Sequence, residues 1–291
     1  MVTKNAHTHT HVLQTFFHYI DSLNLTETVR NTGRPSLCRK AFLKSFFLKT
    51  YFRLDSLRKL VRYLREFPYF QHLCGFPTLP HLATFARVAA WFREEGYEEI
   101  HTETLHRLGL QHGMLAVIDS TALRSSLYDS QAAYGKSTRL HMFKGYKLHL
   151  YVSVEGVALT YAFVPANRHD SAIAPALLRT SEDLGLEVAC VLGDAIYDSR
   201  EIRETADSLG IQMLTAINKR NGVRKDGYGR VMSDFLQTAM GAAIFNLRNQ
   251  IERLFHTLKD KGLECPRMFG YNRYHFHVQL VLLMHNIGYL L

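Results

Sequence analysis

The chain has 291 residues, 47% of them hydrophobic and 21% charged, and this composition excludes an intrinsically disordered protein. Its length suits one large domain or two modest ones. Lysine and arginine outnumber aspartate and glutamate by 35 to 26, giving a formal charge of +9, which favours a polyanionic partner. No apolar run approaches the roughly 18 residues of a membrane span, so we expect none.

The four cysteines are scattered through the sequence without CxxC spacing. Such a distribution favours reduced packing residues over a disulfide framework or a zinc site. The first residues lack the apolar core of a signal peptide. We therefore expect a cytoplasmic protein.

The first part of the chain, residues 12–110, is expected to be helical throughout, because apolar residues recur at three and four positions between prolines. The expected helices cover 13–23, 37–52, 56–67 and 82–95. Basic residues dominate here: Arg34, Arg39, Lys40, Lys44, Lys49, Arg53, Arg58, Lys59, Arg62 and Arg65. We interpret residues 1–110 as a helical DNA-binding domain, compatible with a helix-turn-helix. A solvated basic face is the competing interpretation.

A second domain is expected over residues 111–291, after a connection at 98–112. The sequence predicts strands at 114–119, 144–153, 157–165, 188–193 and 211–217, and helices at 171–184, 198–209, 242–262 and 275–290. The first and fourth of these strands are expected to be neighbours. Between the last strand and the next helix, the loop 218–230 is rich in glycine and cations. It is expected to lie over a polyanion, with a merely solvated loop as the alternative.

Two of the expected strands lead into an aspartate. Asp119 follows the apolar run 114–118, and Asp194 follows 188–192 and a glycine. In a partly parallel sheet, the carboxyl ends of the central strands face the ligand crevice. An aspartate there is a natural metal ligand. For either residue alone, a helix cap or a turn is an equally good interpretation.

The expected helix 242–262 has an unusual polar stripe. At about 100° per residue, Phe245, Arg248, Glu252 and Lys259 share one side, while the opposite side is apolar. The polar side therefore presents a carboxylate between two cations. A surface helix with incidental charges is the alternative.

These residues resemble the DDE transposases of bacterial insertion sequences, in the branch with a tyrosine-arginine-glutamate-lysine signature. The resemblance rests on the order Asp119, Asp194, Glu252, with Arg248 before and Lys259 after the glutamate. It extends to VIDST at 117–121, FKGYKLHLYVSVEG at 143–156, FVPANRHDS at 163–171 and VLGDAIYDSREIRE at 191–204. The signature tyrosine is replaced by Phe245.

The resemblance implies an α/β fold, a ribonuclease-H-like mixed five-stranded sheet flanked by helices, preceded by an all-α N-terminal domain. It implies an enzyme that cleaves DNA at terminal inverted repeats and transfers the strand into target DNA. Asp119, Asp194 and Glu252 would be the catalytic residues and the metal ligands. An oxygen-only ligand set suits Mg²⁺ or Mn²⁺, and we expect two ions.

The resemblance also implies that Arg248 and Lys259 hold phosphates near the scissile bond. Phe245 is expected either to stack on a base or sugar, or to pack within the protein. Lys144 and Lys147 are expected to face DNA, with plain solvent exposure as the alternative. The expected partner is double-stranded DNA, bound by a homodimer. No membrane association is expected, and the expected location is the bacterial cytoplasm, at the nucleoid.

The motif at 169–171 has two interpretations. His169, Asp170 and Ser171 match a family motif, but Asp170 or Ser171 would also cap the next helix, which we favour. For the whole chain, the alternative function is a DNA-binding protein of transposase descent with an unused catalytic cleft. An aspartyl-phosphate phosphotransferase using Asp119 is disfavoured, because Thr121 stands where a second aspartate is usual.

Overall fold

A computed structural model describes residues 2–25, 38–110, 114–218, 234–265 and 268–291, with side chains from residue 12 onward. These residues form two compact units. The helical unit comprises Met1–Thr104, Lys261–Leu263 and Asn272–Leu291, and the sheet unit comprises Leu105–Asp260 and Glu264–Tyr271. Most of the loop expected at 218–230 lies outside the described residues, as does Arg34.

The helical unit is built from short helices with recognisable ends. Its helices are α1 Val2–Ser22, α2 Arg39–Tyr51, α3 Leu57–Glu66, α4 Pro68–Cys74, α5 Leu82–Trp91, α6 Tyr97–Arg107 and α11 Tyr271–Ile287. Ser56 begins α3, because its hydroxyl accepts a hydrogen bond from the Lys59 amide. Pro68 begins α4, and Gly75 ends it in the left-handed conformation.

Helix α2 is the core of this unit, because most of its residues are buried, including Lys49. Phe46 on α2 packs edge-to-face against Phe276 of α11, with the ring centroids 4.9 Å apart. This packing places the last helix, which the sequence assigned to residues 111–291, in the helical unit. The division of function between residues 1–110 and 111–291 stays a prediction.

The basic residues of the helical unit have different surroundings. Lys44 forms an ion pair with Asp21 at 2.7 Å, and the Arg39 guanidinium lies 3.9 Å from the Trp91 ring centroid. An exposed basic face is found on α3, where the outward side chains are Arg58, Lys59, Arg62 and Arg65. Helix α3 is therefore the described part of this unit that best fits the expected basic surface.

The connection expected at 98–112 is helical as far as Arg107, the end of α6, and the first unit gives way to the second within it, after Thr104. A π-helical turn, Phe92–Gly96, joins α5 to α6. Gly96 lies against the Trp91 ring, where an added Cβ would be 2.6 Å from the nearest ring atom. Glycine at this position therefore leaves room for the Trp91 ring.

The sheet unit contains a mixed sheet flanked by helices, which confirms the expected fold class. Its elements are β1 Met114–Arg124, β2 Ala133–Ser137, β3 His141–Ser153, β4 Ala158–Pro165, α7 Asp170–Asp183, β5 Val188–Gly193, α8 Arg200–Ser208, β6 Gln212–Thr215, α9 Ala239–Asn246 and α10 Asn249–Asp260. Among the described residues the sheet has six strands, in the order β2-β3-β1-β5-β6 with β4 also paired to β3. The strand that the sequence does not predict is β2, a short polar segment.

Strand β1 is central, antiparallel to β3 and parallel to β5. Its pairing with β3 continues as far as Arg124 opposite Gly145. Asp119 therefore lies inside β1, opposite Leu150, and not at the strand end that the sequence predicts. Successive side chains of a strand alternate between the two faces of a sheet. Asp119 and Ser120 consequently lie on opposite faces.

Gly145 marks the place where β3 approaches β1 most tightly. A Cβ at this position would lie 2.0 Å from the backbone oxygen of Leu123. Gly135 on β2 has a similar restriction, since its Cβ would lie 2.5 Å from the backbone oxygen of Ala166. Both positions of the β2–β3 hairpin therefore require glycine for steric reasons.

A buried carboxylate, Asp129, joins the segment after β1 to the segment before α11. Its oxygens accept hydrogen bonds from the Ser125 hydroxyl at 2.6 Å, the Tyr146 hydroxyl at 2.9 Å, the Gly270 amide at 2.9 Å and the Gln131 amide at 3.0 Å. Burial alone would raise the pKa of Asp129, but these hydrogen bonds lower it below its ordinary value. Asp129 is therefore a fully hydrogen-bonded structural anion.

Candidate active site

The structure brings Asp119 and Asp194 together on one face of the sheet. Val117 of β1 lies opposite Leu192 of β5 in a parallel pair. Asp119 and Asp194 each follow that pair by two residues, so both extend from the same face at adjacent positions. Asp194 stands directly after β5, and its Oδ1 accepts a hydrogen bond from the Ile196 amide at 2.9 Å. The proximity expected for these two aspartates is therefore found.

The carboxylate of Asp119 is electrostatically unusual. Burial raises its pKa to about 7, and the negative charges of Asp194 and Asp170 act in the same direction. A hydrogen bond from the Ser120 amide to Oδ1, at 2.7 Å, and the positive charge of Arg248 lower the pKa only in part. An anion at Asp119 thus needs more positive charge than the described side chains supply.

The expected helix 242–262 is interrupted. Helix α9 ends at Asn246 and α10 begins at Asn249. The amides of Leu247 and Arg248 bond to carbonyls three residues back, at 3.0 and 3.1 Å, so the chain tightens there without reversing. The amphipathic pattern continues through the junction, which explains why it suggested one helix. The spacing of apolar residues alone does not reveal such a tightened turn.

Arg248 stands at this junction and is close enough to Asp119 to lower its pKa. Its guanidinium carbon lies 5.7 Å from the centroid of the Phe245 ring, a cation–π distance. Phe245 itself is partly exposed. A ring in this position supports the arginine, while its remaining surface stays available to solvent or to a ligand.

Glu252 lies in the first turn of α10 with its side chain exposed. The buried side of α10 consists of Ile251, Leu254, Phe255 and Leu258, and the helix packs against β1. Over the described segments, no three His, Cys, Asp or Glu side chains are grouped so as to hold a metal ion. Among the described residues, Glu252 therefore does not form such a three-residue group with Asp119 and Asp194.

Lys259 lies in the last turn of α10 and is half-buried. Its pKa is lowered by burial and by the nearby charge of Arg139, while Glu264 acts in the opposite direction. Arg139 and Glu264 are themselves an ion pair, with Nη1 and Oε2 3.1 Å apart. Among the described residues, the charged neighbours of Lys259 are thus Arg139 and Glu264, which pair with each other.

Lys147 has a different environment from the DNA-facing one that the sequence suggests. Its ammonium forms an ion pair with Asp170 at 2.6 Å and donates to the Arg168 backbone oxygen at 3.2 Å. The expected capping role of Asp170 or Ser171 is also wrong, because His169 is the N-cap of α7 and Asp170 is its first residue. The carboxylate of Asp170 is instead used for Lys147 and Ser120.

Lys144 is partly exposed, and its ammonium donates to the Leu127 backbone oxygen at 2.8 Å. It pairs with Tyr134 across the β2–β3 hairpin, as Met142 pairs with Lys136. These four residues share one hairpin face, and Tyr134 and Met142 are 61% and 66% exposed. By strand alternation, Lys144 and Asp119 lie on the same face of the sheet. The hairpin therefore extends the carboxylate face with a basic and aromatic surface.

The donor set at the two aspartates fits a divalent cation of the Mg²⁺ or Mn²⁺ type. These ions prefer carboxylate oxygens, and they keep coordination positions for water and phosphate. Two adjacent carboxylates, one of them with its pKa raised to about 7, are stabilised as anions by such a charge. The residues present therefore suit such an ion, and Asp119 and Asp194 would be its ligands.

Sequence comparison assigns the family. A model described as the transposase DDE domain matches residues 111–287, which is more than half of the chain. The chain belongs to the transposase DDE domain family. A second model, described as a transposase domain (DUF772), matches residues 2–91. The family expected from the sequence motifs is thus confirmed, whereas its tyrosine-arginine-glutamate-lysine branch stays a prediction. No curated protein matches the sequence significantly.

Solved structures with similar folds include viral and transposon proteins. The catalytic core domain of BIV integrase is 12% identical, with 58% of this chain and 82% of that chain covered and a TM-score of 0.33. The Drosophila P element transposase strand transfer complex is 10% identical, with coverages of 89% and 80% and a TM-score of 0.32. The catalytic domain of Mos1 mariner transposase is 13% identical, with coverages of 67% and 89% and a TM-score of 0.26.

Within the described segments, every helix is too short or too polar to cross a bilayer.

Proposed function

We propose that this protein is an insertion-sequence transposase that cuts DNA at terminal inverted repeats and joins the cut end to target DNA. The observation that supports this most directly is the pair Asp119 and Asp194, adjacent on one sheet face, with the pKa of Asp119 raised to about 7 and Arg248 nearby. Carboxylates under mutual repulsion beside a cationic side chain are suited to metal-dependent phosphodiester chemistry.

In this proposal Asp119 and Asp194 hold Mg²⁺ or Mn²⁺, most simply as two ions, and Glu252 is the third ligand. When bound, the metal would activate an attacking water or 3′-hydroxyl and stabilise the leaving oxygen. Glu252 belongs to the set by its place in the sequence pattern. Its side chain is exposed in the first turn of α10.

The cations of the sheet unit would bind the DNA backbone. Arg248 is placed to bind a phosphate next to Asp119, with Phe245 supporting its guanidinium. Lys259 would hold a phosphate farther along α10. Lys144 would act from the β2–β3 hairpin, whereas Lys147 is withdrawn from this role by its ion pair with Asp170.

The sequence order of Phe245, Arg248, Glu252 and Lys259 supports placement in the tyrosine-arginine-glutamate-lysine branch, with phenylalanine in the tyrosine position. Two DNA ends must be held together for transposition, so we also propose a homodimer on DNA. The proposed place of action is the bacterial cytoplasm, at the nucleoid.

The test uses the purified full chain with DNA carrying the sequences that flank its reading frame. Mg²⁺-dependent nicking is expected, and Asp119→Ala, Asp194→Ala and Glu252→Gln should each reduce its rate on the order of 100-fold or more. Glu201→Gln is the matched control for Glu252→Gln, because Glu201 is also an exposed glutamate in the first turn of a helix. Normal cutting by both aspartate variants would show that the site assignment is wrong, and absence of nicking by the wild-type chain would refute the proposed function.

A DNA-binding protein with an unused cleft is a second candidate, because the described residues do not gather three carboxylates. The two candidates differ in the same assay. The second one predicts DNA binding without metal-dependent nicking, and no excision of a plasmid-borne element. Nicking that survives Glu252→Gln but not the aspartate variants would instead remove only Glu252 from the proposed ligand set.

A further inference from the structure

A polar cluster lies behind the proposed active site, on the opposite face of β1 from Asp119. Ser120 extends to that face, where its hydroxyl donates a hydrogen bond to Oδ2 of Asp170 at 2.8 Å. Helix α7, which begins at Asp170, packs on the sheet there. The residue that follows Asp119 is thus attached to the start of a helix.

Asp170 is itself held firmly. Its Oδ1 lies 2.6 Å from the ammonium of Lys147, which also donates to the Arg168 backbone oxygen at 3.2 Å. The side chains of Lys147 and Asp170 are only 16% and 12% exposed. Charge-assisted hydrogen bonds of this length in a mostly buried place restrict the position of the carboxylate.

The buried Tyr197 also lies near Ser120 and Asp170. His149 is a further polar side chain of the cluster. It lies opposite Ser120 in the β1–β3 pairing and is fully buried. Neither of its ring nitrogens has a hydrogen-bond partner among the described atoms. Burial lowers the pKa of His149 to about 4, so the ring is neutral at pH 7 and Lys147 is the cation of the cluster.

The cluster is connected to the active-site face through one residue. The backbone amide of Ser120 donates to Oδ1 of Asp119 at 2.7 Å. Ser120 therefore makes two contacts at once: its hydroxyl is fixed by Asp170 on one face, and its amide orients the carboxylate on the other. Outer contacts of this kind typically orient metal-binding side chains.

We propose that Ser120, Asp170 and Lys147 are positioning residues that fix the orientation of the Asp119 carboxylate for metal binding. The inference rests on the proposed function only in taking Asp119 as a metal-binding residue. Lys147 holds Asp170, Asp170 holds the Ser120 hydroxyl, and the Ser120 amide holds Asp119. Lys147 thus contributes to the site from behind the sheet and not as a contact to DNA.

The test measures Mn²⁺ affinity by calorimetry on the metal-free full chain, together with kcat and KM for nicking of the flanking DNA. Ser120→Ala should weaken Mn²⁺ binding about 10-fold and lower kcat, with KM for DNA unchanged. Ser120→Thr keeps the hydroxyl and should restore both. Asp170→Asn, which loses the charge that holds Lys147, should resemble Ser120→Ala.

The control is Ser153→Ala. Ser153 is a fully buried strand serine whose hydroxyl accepts a hydrogen bond from the Val157 amide, so its loss tests general destabilisation. It should leave Mn²⁺ affinity unchanged. Wild-type Mn²⁺ affinity in Ser120→Ala, failure of Ser120→Thr to restore it, or wild-type Mn²⁺ binding that does not depend on Asp119 would each overturn the inference. Failure of the proposed function differs, because the wild-type protein would then not nick DNA while the Mn²⁺ titrations still separate these variants.

Discussion

The pKa values of two aspartates ten positions apart are shifted in opposite directions. Asp119 and Asp129 both lie in the sheet unit, and burial raises the pKa of each. Among the described residues, Asp129 accepts four hydrogen bonds, whereas one backbone amide donates to Asp119. The net pKa shift is downward for Asp129 and upward, to about 7, for Asp119.

The difference shows that hydrogen-bond donors can outweigh burial in setting the pKa of a carboxylate. Four donors leave Asp129 with little capacity for another ligand, so its charge serves the structure. Asp119 retains unused acceptor positions and has Asp194 beside it, so its charge is unfavourable until a cation arrives. The comparison predicts that one substitution, aspartate to asparagine, has opposite effects on stability at the two positions.

The largest expected effect is at Asp129. Asp129→Asn replaces an acceptor oxygen with an amino group that faces donors, and we expect a loss of about 3 kcal/mol in the free energy of unfolding at pH 7. Urea unfolding followed by circular dichroism would measure it. An unchanged midpoint would show that the four hydrogen bonds are not essential to the fold.

The pH dependence at Asp129 follows from its lowered pKa. The folded pKa lies below the unfolded value of about 3.9, so the stabilisation is fully present above that value. It is lost as the pH falls through the folded pKa. The wild-type protein should therefore lose its advantage over Asp129→Asn in acid.

An effect of opposite sign is expected at Asp119. In EDTA at pH 8, Asp119→Asn should raise the free energy of unfolding by about 2 kcal/mol, because it removes a buried charge that Asp194 repels. The raised folded pKa means that the wild-type protein has no penalty below the unfolded pKa of about 3.9. The penalty grows as the pH rises through the folded pKa of about 7.

Thermal unfolding at pH 8 and pH 4.5 would test this sign. The gain should be clear at pH 8 and small at pH 4.5. Mn²⁺ should stabilise the wild-type protein more than Asp119→Asn, since binding to the folded state adds to its stability. Equal stability of the two proteins at pH 8 without metal would contradict the comparison.

The smallest effect is expected at Glu264, a partly exposed carboxylate near the Asp129 segment. Glu264 pairs with Arg139 through two contacts of 3.1 and 3.2 Å, but the Arg139 side chain is 48% exposed. Glu264→Gln should therefore cost only about 0.5 kcal/mol, and less in high salt. Urea unfolding at low and high salt would measure this. A loss as large as that of Asp129→Asn would mean that charge, and not hydrogen-bond satisfaction, holds the segment.

The sequence predicts the features that depend on residues close together in the chain. Apolar runs before Asp119 and Asp194 predicted the two strands, and strand order then predicted their proximity. Helical periodicity predicted most of the helices. It failed at Leu247 and Arg248, because a tightened turn preserves the apolar pattern while ending the helix. It also missed β2, whose short polar sequence is strand only because β3 pairs with it.

The contacts that the sequence could not predict join distant segments. Asp129 bonds to Gly270, 141 positions away, and Ser120 bonds to Asp170, 50 positions away. Asp170 looked like a helix cap because aspartate next to a helix start usually is one. Only the packing of α7 on the sheet shows that the Asp170 carboxylate binds Lys147 and Ser120.

The close approach at Gly145 limits how this protein can diversify. Any side chain there would push β3 away from the strand that holds Asp119, so a library aimed at new target preferences should keep this position fixed. The outward positions of the same hairpin, Tyr134, Lys136 and Met142, have no such restriction, since their side chains are exposed. Variation that alters substrate contacts without disturbing the carboxylates is therefore best introduced on that outer surface.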